Sequence, residues 1–417
     1  MEQNTSPWLK ALISYFEEGC KQEASSVGVE LEQFIVDLDT HFAAPYAGKN
    51  GVREVTEKLM QFYPDAEPII DEDLLGFLTK HFSITLEPAA QLEISIFPMQ
   101  TVVSLGEIFL DYDKNLKTIL SQMHLTAMPV ATQPESHVDD LTMIPKERYR
   151  LMDMHFQKIG KGGREMMRGS CSTQVSVDYT SETDFRRKVQ AATYFAPVLM
   201  MLTDHANRFQ GEDLQGYLKR SDIWERTDLV RSSILPNVFS PTYGFSDYAQ
   251  FLGNIPLIFR MNETGYEYTG FQTVAELYAD KEPTEEEVLH ILSMAFPHIR
   301  LKHYLEVRVA DSMPAPFLMG YCALVKGLLY NEDVLSMVQE RIQSENITEQ
   351  TVTDVIIGLR KEGWKGTIYS RSAKEAALEA LALAEPVLDE KEKDYLKSLR
   401  DVVTYEGIFH VPSQEQV

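Results

Sequence analysis

Segments with two different spacings of apolar residues alternate along the chain. Apolar and polar residues alternate strictly, with a period of two, in the stretches 27–34, 84–87, 91–96, 173–178 and 301–309. This period is that of a β-strand with one buried face. Such strands, separated by helical stretches, are most simply layered as one α+β domain, in which helices cover the outer face of an antiparallel sheet.

Helical stretches have apolar residues three and four positions apart. In residues 52–62 this spacing places Val55, Leu59 and Phe62 on one face. Capping boxes, in which Glu follows Ser or Thr by three positions, mark further helix starts. The predicted helices are 52–62, from Thr284 to about 296, from Ser372 to just before Pro386, and 389–403.

The end of the chain differs in pattern from the rest. Residues from about 334 onward are mostly helical, and no repeat, low-complexity tract or Pro/Gly-rich linker separates them from what precedes. We therefore expect a sheet-containing region of residues 1–330 and a helical extension of residues 331–417 packed on the same domain.

The charge balance narrows the classes of ligand. The 417 residues include 63 Asp and Glu against 39 Lys and Arg, which gives a net charge of −24. A protein that binds the phosphate backbone of nucleic acid needs a surplus of Lys and Arg, so a nucleic-acid partner is not expected. Small anionic substrates remain compatible where cations gather locally. With 44% hydrophobic residues, the composition is that of a folded protein.

The sequence pattern predicts neither a targeting signal nor secretion. The first residues lack a basic stretch followed by an apolar one, so no signal peptide is expected. The most apolar run, residues 191–202, contains Pro197 and is too short to cross a bilayer. The three cysteines lie far apart without a CxxC pair, which argues against disulfides or a zinc site. We expect a cytoplasmic protein with no membrane partner, and the pattern leaves its oligomeric state open.

The polar positions of the predicted strands carry mostly carboxylates, namely Glu30, Glu32, Glu87, Glu93 and Glu306. Two carboxylates ~4 Å apart repel by about 4 kcal/mol at an effective dielectric near 20, so five on one sheet face would need divalent cations. An oxygen-only ligand set favours Mg²⁺ or Mn²⁺ over zinc. Such ions beside a nucleoside triphosphate would form a site for phosphoryl transfer. Glutamates that are merely solvated on separate strands remain an alternative.

Two other segments are candidates for ligand contact. Residues 220–231 contain three arginines and a tryptophan in an otherwise acidic chain. Arginine suits bidentate recognition of carboxylates, although a salt-bridged surface segment fits the spacing equally well. Residues 159–164 are rich in glycine but lack the phosphate-binding GxxxxGKS/T pattern, so we expect a flexible loop there, with a role as a lid.

Five segments form an ordered set of motifs: VGVELEQF (27–34), ITLEPAAQLEIS (84–95), MRGSCSTQV (167–175), RSDIWERTDLVR (220–231) and LKHYLEVRVAD (301–311). In the same order they resemble the patterns G-x-E-x-E-x-F, L-E-P-G-G-Q-x-E-x-S, R-T-C-T-V-Q-V, R-x-x-x-W-x-x-T-D-x-x-R and K-x-Y-L-E-x-R-x-A-D. These patterns are those of the glutamate–cysteine ligase family in its plant and proteobacterial form. Each match alone is weak, but five in order are specific for the family.

The resemblance implies a fold related to glutamine synthetase, with an antiparallel sheet that cradles ATP and Mg²⁺. It implies an enzyme, with residues 1–330 as its catalytic region, in which ATP phosphorylates the γ-carboxylate of glutamate. The amino group of cysteine then displaces phosphate and forms γ-glutamylcysteine, the first step of glutathione synthesis. The partners would be the small molecules glutamate, cysteine and ATP.

Carried over by motif, the resemblance also assigns roles to single residues. Gln174 would lie near the nucleotide and the metal ions. Arg308 would contact the nucleotide and, with Glu306, act in catalysis, because a fixed cation stabilises charge on the transferring phosphoryl group. The substrate carboxylates would be held by Arg231, Arg220 and Arg168. The Mg²⁺ ligands would be Glu30, Glu32, Glu87, Glu93 and Glu306.

The chain departs from the family patterns near the expected substrate subsite. Ala89 and Ala90 stand where the family has Gly-Gly, the run Arg-Thr-Cys-Thr is changed within residues 168–172, and Leu229 replaces an expected Pro. Two alternatives therefore accompany the main interpretation: a related ligase with a different acceptor amine, and a catalytically silent nucleotide-binding relative. Retention of all five glutamates and of Arg308 argues against lost chemistry.

Overall fold

The helices and strands are taken from a computed structural model, which describes residues 6–262 and 265–412. The strands are β1 (Val27–Asp37), β2 (Glu67–Asp71), β3 (Asp73–Leu78), β4 (Phe82–Leu86), β5 (Leu92–Met99), β6 (Leu125–Met128), β7 (Ser172–Val177), β8 (Arg208–Phe209), β9 (Glu212–Asp213), β10 (Phe259–Asn262), β11 (Gly265–Tyr268), β12 (Ile299–Leu301), β13 (Leu305–Asp311), β14 (Thr367–Ile368) and β15 (Arg371–Ser372).

The α-helices, in chain order, are α1 (Pro7–Glu18), α2 (Val52–Met60), α3 (Val102–Gln122), α4 (Glu147–Ile159), α5 (Gly163–Gly169), α6 (Glu182–Leu202), α7 (Lys219–Glu225), α8 (Phe245–Asn254), α9 (Val274–Leu277), α10 (Glu285–Leu292), α11 (Ala315–Leu329), α12 (Glu332–Ser344), α13 (Glu349–Glu362), α14 (Ala373–Ala384) and α15 (Glu390–Tyr405). Residues 1–5, on which the expectation of no signal peptide rests, and residues 413–417, at the end of the expected extension, lie outside the described residues.

Nine of these strands form one antiparallel sheet. Its order is β12-β13-β7-β1-β5-β4-β3-β2, and β6 pairs with the far end of β1. The register places Glu32 opposite Glu93 on β5 and Glu30 opposite Gln174 on β7. Glu306 lies on β13, which pairs with β7. Since side chains alternate between the two faces of a strand, these aligned polar positions share one face of the sheet.

The opposite face of the sheet is apolar and is covered by helices. Val29, Leu31, Ile94 and Val307 on that face are at most 3% exposed. Helices α3, α6 and α11 pack against β5, β13 and β7, respectively. The predicted α+β class, with an antiparallel sheet and helices on its outer face, is therefore confirmed. The relation to glutamine synthetase rests on the family resemblance.

Helices α12 to α15 make up most of the described part of the C-terminal extension, as expected. Helices α12, α13 and α14 pack on α6, and α15 packs on α11. One hydrophobic core runs from Trp8 to Ile408, so it crosses the boundary expected at residue 330, and that boundary stays a prediction. The apolar run around Pro197 lies buried within α6. No helix among the described residues has the length and apolarity that crossing a membrane requires.

The strand predicted over residues 301–309 is confirmed for 305–309, which lie in β13, and is wrong for 301–304, which are the end of β12 and a hairpin turn. Strand β12 ends at Leu301, and Leu301 pairs with Leu305 at the start of β13. The apolar alternation continues through the intervening turn, so the pattern does not reveal that the chain reverses there.

Two predicted helices end earlier than expected. Helix α10 ends at Leu292 rather than near 296, because the chain turns away and the backbone N–H of Phe296 donates to the carbonyl oxygen of Arg231 at 2.7 Å. Helix α2 ends at Met60, and Phe62 beyond it is 46% exposed. The capping boxes at Thr284 and Ser372 are confirmed.

Candidate active site

An open cavity of about 550 Å³ lies over the polar face of the sheet. This volume falls in the range of small-molecule sites, roughly 300–1,000 Å³. Helices α4 and α10 cover it from above through side chains that include Met152 and Leu292. The polar side chains that reach it from the sheet and from the turn after β4 include Glu30, Glu32, Glu87, Glu93, Gln174 and Arg308. The fold therefore brings four of the five predicted metal ligands together in one cavity.

Burial at the cavity shifts the titration of these carboxyl groups upward. Burial, with the charges of Glu306 and Glu93, raises the pKa of Glu30 to about 7. Burial, followed by the charge of Glu32, raises the pKa of Glu87 to about 7. Burial, followed by the charge of Glu87, raises the pKa of Glu93 to about 8. These three carboxyl groups therefore tend to bind protons or cations near neutral pH.

The hydrogen bonds of these carboxylates differ from one residue to the next. Glu32 accepts from the backbone N–H of Ser172 at 2.7 Å and from its Oγ at 2.8 Å. Glu93 accepts from Oγ1 of Thr85 at 2.7 Å. For the side chain of Glu30, the described residues supply neither a hydrogen bond nor an ion pair. A carboxylate that faces a cavity without a protein partner is suited to binding a cation.

These carboxylates fit a magnesium ion that is shared between the protein and a ligand better than they fit an ion enclosed entirely by protein groups. Within residues 6–262 and 265–412, no group of three or more Asp, Glu, His or Cys side chains forms a ready-made metal site. The carboxylates instead approach the cavity from β1, from β5 and from the turn after β4. Mg²⁺ commonly keeps several waters and binds one or two carboxylates together with substrate phosphates, and this arrangement provides for that mode.

Glu306 is placed differently from the other four glutamates. Its side chain is fully buried, and its oxygens lie 2.6 Å from Nε of Arg300, 2.8 Å from Nη1 of Arg308 and 3.4 Å from Nζ of Lys302. Burial raises the pKa of Glu306, but these three cations together hold that pKa well below its usual range. Because its oxygens already have cationic partners, the contacts of Glu306 favour orienting Arg300 and Arg308 over direct metal binding.

Cations that the sequence pattern did not single out also line the cavity. Arg300 and Lys302 come from the β12–β13 hairpin, and Lys146 and Arg148 come from the start of α4. For Arg300 and Lys302 the available signal was a spacing of two, which in an extended segment points both side chains the same way. Lys146 and Arg148 lie at a helix start, where this spacing gives no such signal. Carboxylates and cations thus surround one space, as a metal–phosphate ligand requires.

Arg308 joins the cavity to a smaller adjoining pocket of about 90 Å³, since it lines both. Its Nη1 donates to Oε1 of Gln174 and to Oε2 of Glu306, so the guanidinium is held from two sides. The pocket is also lined by Arg220, which is 5% exposed and donates to the carbonyl oxygen of Arg308 at 3.1 Å. Trp224 lines the same pocket and packs against Phe296 with ring centroids 5.6 Å apart.

Comparison with known proteins places the chain in a family. A profile of glutamate-cysteine ligase family 2 matches residues 26–408. The chain belongs to glutamate-cysteine ligase family 2.

Two plant relatives of this family member are the chloroplastic glutamate–cysteine ligase of Brassica juncea and the chloroplastic glutamate–cysteine ligase A of Oryza sativa subsp. indica. The first is 28% identical over 404 residues, covering 94% of this chain and 77% of the relative. The second is 31% identical over 349 residues, covering 81% and 70%. A solved glutamate–cysteine ligase from Francisella tularensis, in complex with AMP, superposes with a TM-score of 0.47 at 14% identity, over 94% of this chain and 84% of that one.

In this member of glutamate-cysteine ligase family 2, two of the three arginines predicted to hold substrate lie away from the cavity. Arg231 is fully buried and donates to Asp228, to the carbonyl oxygen of Met294 and to that of Pro256 at 2.6, 2.8 and 2.8 Å. The guanidinium of Arg168 pairs with Asp153 at 3.1 Å. Their contacts favour structural roles, and substrate binding by Arg168 and Arg231 stays a prediction from the family resemblance.

The turn that replaces the family's Gly-Gly carries a strained backbone. Ala90 has a φ of 64°, in the left-handed region that favours glycine. Its backbone N–H donates to the carbonyl oxygen of Glu87, and the N–H of Glu87 donates to the carbonyl oxygen of Gln91, both at 2.9 Å. The turn therefore sets the position of Glu87. The left-handed backbone conformation at residue 90 also explains why the family has glycine there.

The glycine-rich segment, interpreted from sequence as a flexible loop or lid, is packed instead. A Cβ on Gly160 would collide with the carbonyl oxygen of Thr227. The backbone N–H of Gly162 donates to the carbonyl oxygen of Arg226 at 3.1 Å. The glycines allow the segment to lie directly against the end of α7, so they serve close packing rather than opening and closing.

Proposed function

We propose that this chain is an ATP-dependent ligase that joins the γ-carboxylate of glutamate to the amino group of cysteine, giving γ-glutamylcysteine, ADP and phosphate. This is the first step of glutathione synthesis. The observation that carries the proposal is the single cavity in which Glu30, Glu32, Glu87 and Glu93 face a set of cations beside a pocket lined by Arg220. Membership of glutamate-cysteine ligase family 2 supports the same reaction.

Magnesium, or manganese in its place, would be held by the four cavity glutamates, Glu30, Glu32, Glu87 and Glu93. When bound it would neutralise charge on the phosphates of ATP. Arg300, Lys302, Lys146 and Arg148 would bind the remaining phosphate oxygens, with Gln174 beside them. Because these cations are already held around the cavity, little reorganisation is needed when the nucleotide binds.

In the first step, an oxygen of the glutamate γ-carboxylate attacks the γ-phosphorus of ATP, and the bond to the ADP oxygen breaks. Arg308, oriented by Glu306 and Gln174, stabilises the negative charge that spreads over the transferring phosphoryl group. In the second step, the cysteine nitrogen attacks the acyl carbon of γ-glutamyl phosphate, loses a proton and expels inorganic phosphate. Arg220 binds a carboxylate of the amino-acid substrate throughout.

The direct test is turnover by the purified full-length protein. Incubation with ATP, Mg²⁺, glutamate and cysteine should release ADP and phosphate and form γ-glutamylcysteine, identified by mass spectrometry. Omission of glutamate should abolish ADP release. Absence of ADP release and of γ-glutamylcysteine, with Mg²⁺ and with Mn²⁺, would reject the proposal.

A second candidate is a ligase of the same chemistry with another acceptor amine. It is favoured by the departures at Ala89, Ala90 and Leu229 and within residues 168–172, which lie in segments that contribute to or adjoin the smaller pocket. Here the same reaction is run with a panel of amino acids and amines in place of cysteine. If cysteine gives no product and another amine does, this second function replaces the first. ATP binding without turnover on any acceptor would support a silent relative.

We further infer a cytoplasmic location from the sequence. The plant relatives are named as chloroplastic proteins, and that location belongs to them. Fractionation of the source cells with an antibody against the chain tests the inference, and recovery in an organelle or membrane fraction would contradict it.

A further inference from the structure

Asp311 pairs with the arginine that lines the smaller pocket. It is the last residue of β13, and its Oδ1 lies 4.0 Å from Nη1 of Arg220. Both side chains are at most 7% exposed. The other oxygen, Oδ2, accepts the backbone N–H of His205 at 3.0 Å. The carboxylate is thus fixed by the backbone while it faces the guanidinium.

Asp204 holds the helix on which this arginine lies. Its Oδ1 accepts the backbone N–H of Leu218 at 3.0 Å. Leu218 is the N-cap residue of α7 and has a left-handed φ of 55°. A non-glycine residue keeps that conformation only where its surroundings hold it. Since Arg220 follows two residues later, this hydrogen bond sets where its side chain enters the pocket.

The charges are consistent with this arrangement. Burial, followed by the charge of Asp311, raises the pKa of Asp204 well above its usual range. Burial raises the pKa of Asp311 to about 6, and Arg220 opposes that rise. Of the two carboxyl groups, Asp311 is therefore the one whose charged form is stabilised by Arg220.

We propose that Asp311 and Asp204 are positioning residues that fix the guanidinium of Arg220 for a carboxylate of the amino-acid substrate. The inference rests on the proposed function, because it takes glutamate as the ligand of Arg220. A guanidinium that is held in place before binding loses less conformational freedom on binding, which strengthens its contact with the substrate. The two aspartates act through Arg220, so they are distinct from the groups that touch the reacting atoms.

Asp311→Asn is the first variant, because Asn keeps the shape and the oxygen that accepts from His205 but removes the charge. By calorimetry in the presence of Mg²⁺ and a non-hydrolysable ATP analogue, its Kd for glutamate should be about tenfold higher than that of the wild type. In turnover, KM for glutamate should rise likewise, while KM for ATP stays within about twofold. Asp213→Asn is the matched control, since Asp213 is 80% exposed in an ion pair with Arg208, and it should change neither constant.

A double-mutant cycle distinguishes positioning from a general loss of structure. In an Arg220→Gln background, Asp311→Asn should weaken glutamate binding no further, because the residue through which it acts is gone. Equal losses in both backgrounds, or an unchanged Kd in the single variant, would overturn the proposal. Asp204→Ala should also weaken glutamate binding, and Asp204→Asn, which keeps the acceptor for Leu218, should bind glutamate more tightly than Asp204→Ala. The reverse order would count against the role of Asp204.

The two proposals fail in different ways. Wild-type protein that binds glutamate but releases no ADP overturns the proposed function, while the calorimetric cycle still decides the positioning role. Wild-type protein that does not bind glutamate overturns both. Circular dichroism of each variant at the assay temperature confirms that the compared proteins are folded.

Discussion

Glu32 and Glu93 occupy directly opposed positions on the neighbouring antiparallel strands β1 and β5. Like charges in such a pair destabilise a sheet. Both side chains line the cavity, and burial raises the pKa of each carboxyl group. The repulsion within this pair therefore lowers the stability of the metal-free protein. A bound cation relieves that repulsion.

The pH dependence of stability should become weaker when metal is added. An unfolded Glu titrates near pH 4.3, whereas the pKa in the folded chain is about 7 for Glu30 and Glu87 and about 8 for Glu93. Bound protons therefore stabilise the folded state in mildly acidic solution, and this stabilisation is lost as the pH rises through 7 to 8. Metal-free protein should unfold at lower temperature at pH 9 than at pH 6, and Mg²⁺ should raise that temperature most at high pH.

Thermal unfolding at four pH values between 6 and 9, with MgCl₂ or with NaCl of equal ionic strength, checks this expectation. An unfolding temperature of metal-free protein that increases from pH 6 to 9 would contradict it. A Mg²⁺ effect that is equal at both ends of the range would contradict the assignment of these carboxylates as ligands.

Glu30→Gln should remove activity without harming the fold. The Glu30 side chain has no hydrogen-bond or ion-pair partner among the described residues, so its replacement by Gln mainly removes repulsion from Glu306 and Glu93. We expect kcat/KM to fall at least about 100-fold, as for loss of a metal ligand, and the unfolding temperature of the metal-free protein to stay equal or rise. Glu67→Gln, on the exposed edge strand β2, is the matched control and should keep full activity. Activity of Glu30→Gln near that of the control would refute a role for Glu30.

Glu306→Gln should destabilise the protein strongly. The change leaves Arg300, Arg308 and Lys302 beside a buried group that no longer carries charge, and removing one partner of a buried ion pair costs about 3–5 kcal/mol. Glu379→Gln breaks a half-buried ion pair with Arg341 and should cost under about 1 kcal/mol. Urea unfolding of both variants measures the difference. Similar small losses in the two variants would show that Glu306 is not the centre of this cation cluster.

The turn after β4 can be tested with two neighbouring alanines. Ala90 has the left-handed φ of 64°, which costs a non-glycine residue about 1–2 kcal/mol, whereas Ala89 is not among the residues with a positive φ. Glycine at either position makes the unfolded chain more flexible to the same extent. Ala90→Gly should therefore be more stable than Ala89→Gly by about 1–2 kcal/mol in urea unfolding. Equal stabilities would mean that the turn does not strain Ala90.

Local patterns were sufficient for strands β1, β4, β5 and β7 and for the direction of their side chains, whereas β2, β3 and β6 of the same sheet were not predicted. The alternation around Glu30 and Glu32 identified β1, and the alternation around Glu93 identified β5, because the direction of a side chain on a strand depends only on neighbouring positions. The same reasoning failed at residues 301–304. The alternation of apolar and polar residues continues unchanged through the tight turn, so a period of two does not reveal the turn. The cations Lys146 and Arg148 were not found because they reach the cavity from a helix start outside the sheet.

Side-chain partners could not be assigned from the sequence. Arg220, Arg231 and Arg168 look equivalent in the motifs, yet Arg220 lines the smaller pocket whereas the other two lie away from it. Glu306 resembles the other strand glutamates, yet it lies among three cations. Residue types and their spacing set the strands, the acidic face and the family. Which charges meet depended on the folded chain, because contacts between residues far apart in sequence form only when the strands and helices pack.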